Sequence, residues 1–202
     1  MGTGRLEAFS DGVLAIIITI MVLELKSPAG EGFQGLLTLT PVFLSYLLSF
    51  IYIGIYWSNH HHMLHACSRV SGGVLWANLH LLFWLSLFPF VTRWIGENHY
   101  APVPTAVYGL NLLLAGFAYW VLQQTIIAAE GSNSLLRRAV GRDTKGRASL
   151  LLYAFGAAMA FLFPWLSQTI YVLVALIWIV PDRRIEQALV AAPTTPPGPP
   201  DP

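Results

Sequence analysis

Residues 5–26 read RLEAFSDGVLAIIITIMVLELK, and the fold turns on how that string meets a membrane. Between Asp11 and Glu24 no side chain carries a charge, yet residues 12–23 make only about 18 Å of helix at 1.5 Å per residue. A lipid-facing span needs roughly 20 apolar residues to cross about 30 Å of hydrocarbon. Asp11, Glu24 or both therefore approach the hydrocarbon, where an ionisable side chain is held by a partner or by water. This helix is expected to be enclosed by protein, by a water-filled path, or by one on each side. At about 100° per residue, Phe9, Gly12, Ile16, Thr19, Ile20 and Leu23 share one stripe, and Asp11 falls on roughly the opposite face. The ordinary reading of such a stripe is a core-facing one. The Thr19 hydroxyl is expected to bond back to the carbonyl of Ala15, four residues earlier.

Composition extends the membrane reading to the whole chain. Of 202 residues, 55% are hydrophobic and 10% charged, against about 25% charged in soluble domains. The mean hydropathy of +0.61 and the long charge-free runs mark a polytopic, all-α integral membrane protein. A net charge of +1 without basic–aromatic clusters gives no nucleic-acid surface. One cysteine, Cys67, excludes an intrachain disulfide framework. The first apolar segment lacks a small-residue cleavage site and follows Glu7 and Asp11, so a cleaved signal peptide is not expected.

Spans are expected at about 6–26, 36–66, 74–95, 104–129, 148–164 and 166–181. Pro41 is tolerated in the early turns of the second, and Pro89 interrupts the third near its end. Residues 148–181 carry no charge; as one helix they would run about 51 Å, so they are read as two short spans turning at Pro164. Six spans within a domain of residues 1–185 leave a proline-rich tail, 186–202, expected to be disordered. Six spans put both termini on one side, with Arg5, Arg69, Arg137, Arg138, Arg142, Lys145, Arg147, Arg183 and Arg184. Only Lys26 and Arg93 fall opposite, a bias that makes both termini cytoplasmic. Glu24, Glu31 and Glu97 fall on the opposite face and read as an acidic mouth for cations, or as simply solvated acids.

Three strings appear in order. R-x-x-x-F-S-D is Arg5, Phe9, Ser10 and Asp11; Y-W-x-x-H-H is Tyr56, Trp57, His60 and His61; N-L-x-L-L-F-x-x-S-L-x-P-F-x-T-x-x-x-G-E runs from Asn78 to Glu97. Together they resemble the TMEM175 family of potassium-permeable channels over about the first half of the chain. Taken alone, Ser10 or Asp11 reads as a helix cap. The resemblance instead implies that the triplet lies inside the first helix, where Asp11 is anchored within its own subunit. Trp57, His60, His61 and Asn78 are the available polar partners.

The resemblance further implies a homotetramer, because one chain cannot ring a pore with one copy of its first helix. Ile16, Ile20 and Leu23 then form apolar rings that close the route by dewetting, and Thr19 offers a hydroxyl ring with a modest preference for K+ over Na+. The implied protein is a potassium channel of the plasma membrane, permeable to K+ and other monovalent cations, with no cofactor beyond the permeant ions. A coupled proton or cation transporter is the alternative, with Asp11 and the histidines as a relay. His61 and His65 have the i, i+4 spacing of metal ligands. No acid lies in residues 32–68, so a structural or proton-sensing role is preferred and no metal site is assigned. G-x-S-x-G, a P-loop and T-V-G-Y-G are all absent, which leaves no enzyme signature and no carbonyl-ladder filter.

Overall fold

The computed structural model describes residues 2–28, 32–67, 69–131, 134–141 and 143–179. Among them the chain is helical throughout: α1 (Thr3–Leu23), α2 (Phe33–Thr38), α3 (Thr40–His65), α4 (Gly72–Ser86), α5 (Phe88–Glu97), α6 (Pro102–Glu130), α7 (Leu135–Val140), α8 (Thr144–Met159) and α9 (Pro164–Ile179). The tail 186–202, the end of the last expected span, Glu31, Arg142, Arg183 and Arg184 lie outside the described residues. Four helical stretches are long and apolar enough to cross a membrane: α1, α3, α4–α5 taken together, and α6.

Prolines set the breaks. The expected span 36–66 is divided at Leu39, and the span 74–95 at Leu87. In each case a proline stands two residues on, in the first turn of the following helix. Proline has no N–H and its ring crowds the carbonyl four residues back. The chain answers with a tighter turn: Leu39 N–H bonds Leu36 O at 3.1 Å and Leu87 N–H bonds Trp84 O at 3.3 Å. The Leu37 carbonyl that Pro41 cannot serve receives the Thr40 hydroxyl at 2.8 Å. Pro164 corrects the last boundary. It opens α9 rather than closing the helix before it, and the turn falls at residues 160–163. Proline's fixed φ suits a first helical position, where an N–H has no partner anyway.

Side-chain caps mark other starts. Ser71 accepts from Val74 N–H at 3.3 Å and Asp143 from Gly146 N–H at 3.1 Å. The centre of the bundle is aromatic and polar as well as aliphatic. Tyr52, Tyr108, Tyr171 and Phe88 are fully buried. Lipid gives little hydrophobic drive between helices, so close packing and interhelical hydrogen bonds carry the association. Thr92 Oγ1 donates to Ser49 Oγ at 2.6 Å, Ser49 pairs with Tyr108 at 2.9 Å, and Tyr52 donates to Tyr171 O at 2.6 Å. These tie α3 to α5, α6 and α9. Close approach needs glycine at Gly96, where an added Cβ would stand 2.8 Å from Val42 Cα and 2.5 Å from Ser45 Oγ. That contact seats α5 hard against α3.

Candidate functional site

The first helix has two unlike sides. Leu6, Ser10, Leu14, Ile17 and Met21, spaced by four, four, three and four, are buried against α3, α4 and α5. Phe9, Gly12, Ile16, Thr19, Ile20 and Leu23 are exposed in the subunit. Neighbours in sequence separate sharply: Ile17 is 3% exposed and Ile16 59%, while Leu23 reaches 81%. The core of the subunit thus takes the Leu6–Met21 side and leaves the other apolar stripe uncovered. Thr19 Oγ1 donates to Ile16 O at 2.8 Å, not to Ala15. A threonine hydroxyl can reach either the third or the fourth preceding carbonyl, and here it takes the nearer turn.

The signature residues sit inside α1, not at its start, since Gly2 is the N-cap. They are pinned by three separate contacts. Ser10, fully buried, donates to Leu6 O at 2.8 Å and accepts from Asn78 Nδ2 at 2.9 Å. Asn78 Oδ1 meets His60 Nε2 at 2.7 Å. Trp57 Nε1 donates to Asp11 Oδ1 at 3.1 Å. His61 Nδ1 lies 2.7 Å from Glu7 Oε1.

Of the four expected partners of Asp11, only Trp57 reaches it; Asn78 serves Ser10, His60 bonds Asn78, and His61 serves Glu7. The reason is rotation. Ser10 and Asp11 are about 100° apart on the helix and address different neighbours. Glu7 and Asp11, four apart, share a ridge that runs antiparallel to Trp57, His61 and His65 on α3. Glu7 is not named by the motif because it fills one of the unspecified positions of R-x-x-x-F-S-D; its i, i+4 spacing to Asp11, matched by Trp57 and His61, was the available signal. Arg5 is exposed and pairs with no described residue, so the motif's arginine and aspartate are not brought together.

At the far end of α1 the expected acidic mouth is largely neutralised. Arg93 bonds Glu24 at 2.5 Å and Glu97 at 3.1 Å, and Lys26 bonds Glu97 at 3.2 Å. Two carboxylates meet two cations, because the short loop after α1 returns Lys26 to the same corner that α5 reaches. Glu7, His61 and His65 are placed so that they could hold a metal ion. Cys67 is buried just past α3, and burial pushes its thiol up, so it offers no thiolate nucleophile.

A family model described as "Endosomal/lysosomal potassium channel TMEM175" matches residues 5–89. A protein of Chryseobacterium sp. (strain P1-3) named as a potassium channel is 53% identical over 189 residues, which is 94% of this chain and 98% of that one. A potassium channel of Streptomyces collinus (strain DSM 40733 / Tue 365) is 35% identical over 128 residues, 59% of this chain and 62% of its own. A crystal structure described as a lysosomal potassium-selective channel TMEM175 homolog from Chamaesiphon minutus superposes with a TM-score of 0.78 at 31% identity, over 89% of this chain and 97% of the other. Relatives named as channels, a shared channel fold and several membrane-length helices describe a multi-pass membrane protein and not an enzyme. The chain belongs to the TMEM175 family.

Proposed function

We propose that four copies of this chain assemble around an axis as a potassium-permeable cation channel, with α1 of each subunit lining the route. The observation that carries this reading is the bare apolar stripe of α1, set on a helix whose other side is buried and whose Glu7, Ser10 and Asp11 find partners within the subunit. The names of the relatives supply the ion.

In the proposed assembly Ile16, Ile20 and Leu23 form stacked apolar rings. Water leaves so narrow an apolar constriction, and ions with it, so the rings close the route by dewetting. The Thr19 hydroxyls spend their protons on Ile16 O and keep oxygen lone pairs for a cation. Such oxygens replace part of the hydration shell and give a modest preference for K+ over Na+. The chain crosses the plasma membrane six times with both termini cytoplasmic. Its last spans are α8 and α9, 16 residues each, or about 24 Å. No cofactor is required. A coupled transporter needs ionisable groups along the route, and α1 has none between Asp11 and Glu24.

The test is cation flux into liposomes holding the pure protein, K+ against Na+, for wild type and for Ile16→Asn and Leu23→Asn. Either variant wets the constriction and raises basal flux. Unchanged or reduced flux in variants that fold and assemble normally would remove α1 from the wall.

A further inference from the structure

We propose that Glu7, His61 and His65 form a binding site for a divalent transition-metal ion of the Zn2+ class, which clamps the N-terminal part of α1 to the C-terminal end of α3. The sequence discouraged a metal here because the histidine-rich helix holds no acid. The fold supplies one from 54 residues away in the chain. The Nδ1 atoms of His61 and His65 lie 2.7 and 3.9 Å from the same Glu7 Oε1, and the two rings are 4.2 Å apart between centroids. One atom from each residue can be chosen so that all lie within 4.8 Å of one another.

Those separations can be compared with what an ion needs. Bonds of about 2.0–2.1 Å at tetrahedral angles place two ligand atoms about 3.3–3.4 Å apart. The two observed spacings bracket that figure, so both imidazoles already stand near ligating distance of one carboxylate oxygen. A simple ion pair would engage one imidazole; here two converge on one oxygen. Rotation about the side-chain bonds of a half-exposed histidine supplies the remaining adjustment. His61 and His65 side chains are 40% and 52% exposed and Glu7 is 19% exposed, so an ion enters from solvent while the carboxylate is held largely within the protein.

The donor set decides the metal class. Two imidazole nitrogens and one carboxylate suit Zn2+ and its transition-metal neighbours. Mg2+ and Ca2+ take oxygen ligands and are not served by two imidazoles. Three protein ligands leave a fourth position for water. The site joins helices otherwise linked at this end by the exposed Trp57–Asp11 bond and by burial of Leu6 and Ser10. Binding therefore adds a further restraint on the rotation of α1 about its own axis. The binding stands independently of the channel reading; only its effect on flux rests on that reading.

The test titrates Zn2+ alone into the purified full chain in detergent by calorimetry. Wild type is expected to bind one ion per chain. E7Q, H61Q and H65Q each weaken binding at least tenfold, while H62Q and H99Q leave it unchanged. Co2+ in place of Zn2+ is expected to give the strong visible bands of a four-coordinate ion in wild type and not in H65Q. His65 is half-exposed at the last residue of α3, and an unaltered melting temperature of H65Q without metal shows that it folds. Equal Zn2+ affinity in H65Q and wild type, loss of binding in H62Q instead, or no binding at all overturns the site. In liposomes Zn2+ is expected to slow flux through wild type and not through H65Q. Stoichiometric binding with flux unmoved leaves the site standing and counts against α1 as the moving wall.

Discussion

The two sides of α1 are built from nearly the same residues and are used in opposite ways. Leu14, Ile17 and Met21 are buried, while Ile16, Ile20 and Leu23 are bare. Hydrophobicity alone therefore does not decide which side is core. What distinguishes the buried side is the set of polar residues at its edge: Ser10 in its centre line, and Glu7 and Asp11 along its flank. Each has a partner on α3 or α4. Polar groups at membrane depth have few places where they can be satisfied, and in satisfying them the chain fixes the rotation of the whole helix. The apolar stripe is left outside as a consequence.

The largest effect expected on this contrast comes from Asn78→Leu. It leaves buried His60 without a partner on either ring nitrogen, since Nδ1 has none in the wild type, and it takes a donor from Ser10. Leaving buried polar groups unmet costs roughly 2–4 kcal/mol in all, read as a lowered melting temperature in detergent. A drop no greater than that of exposed Leu79→Ala would break the claim that polar contacts orient α1. Next comes the adjacent pair. In lipid the transfer term is small and the cavity remains, so Ile17→Ala costs the subunit about 1–2 kcal/mol. Ile16→Ala costs under about 0.5 kcal/mol by the same scale and changes flux instead. Equal destabilisation by the two would erase the distinction.

Ser10→Ala removes one hydrogen bond to Asn78 and one local bond, for about 1 kcal/mol. If the melting temperature is unmoved, the Ser10–Asn78 bond contributes nothing to rotation. The smallest effect belongs to the far end. Arg93→Gln leaves folding almost unchanged, because exposed ion pairs contribute little. It frees Glu24 to attract cations and leaves Glu97 to Lys26 alone, so K+ flux rises at low ionic strength. The gain fades near 1 M salt, where the screening length falls to about 3 Å. A flux gain that persists in high salt would point away from electrostatics.

Much of this arrangement was legible in the sequence. Charge-free runs located the long helices, and helical periodicity separated the stripe from Asp11. The motif strings named most of the residues that pin α1. Partnership was harder to read, because it depends on which way two helices face each other. Asp11 draws only Trp57 of its four expected partners, and Glu7 takes His61 from across the loop. The pairing of the acids at the far end was hidden for a similar reason: Arg93 and Glu97 are an i, i+4 pair, but Lys26–Glu97 and Arg93–Glu24 join residues 71 and 69 apart, which only the fold brings together. Proline breaks were foreseen near Pro89 but not at Leu39, where the Thr40 hydroxyl makes the interruption tolerable by taking over the Leu37 carbonyl.

The tight seat of Gly96 against Val42 and Ser45 has a mechanical consequence. It makes α5 a fixed post against which α1 packs, while α3 and α4 hold the opposite end through Trp57, His61 and Asn78. The first helix is thus a beam supported at both ends. A beam so supported bows or twists at midspan rather than swinging from a hinge. In a four-beam channel the middle, around Ile16 and Thr19, would yield first, and the aperture would dilate from the waist while its two rims stayed put.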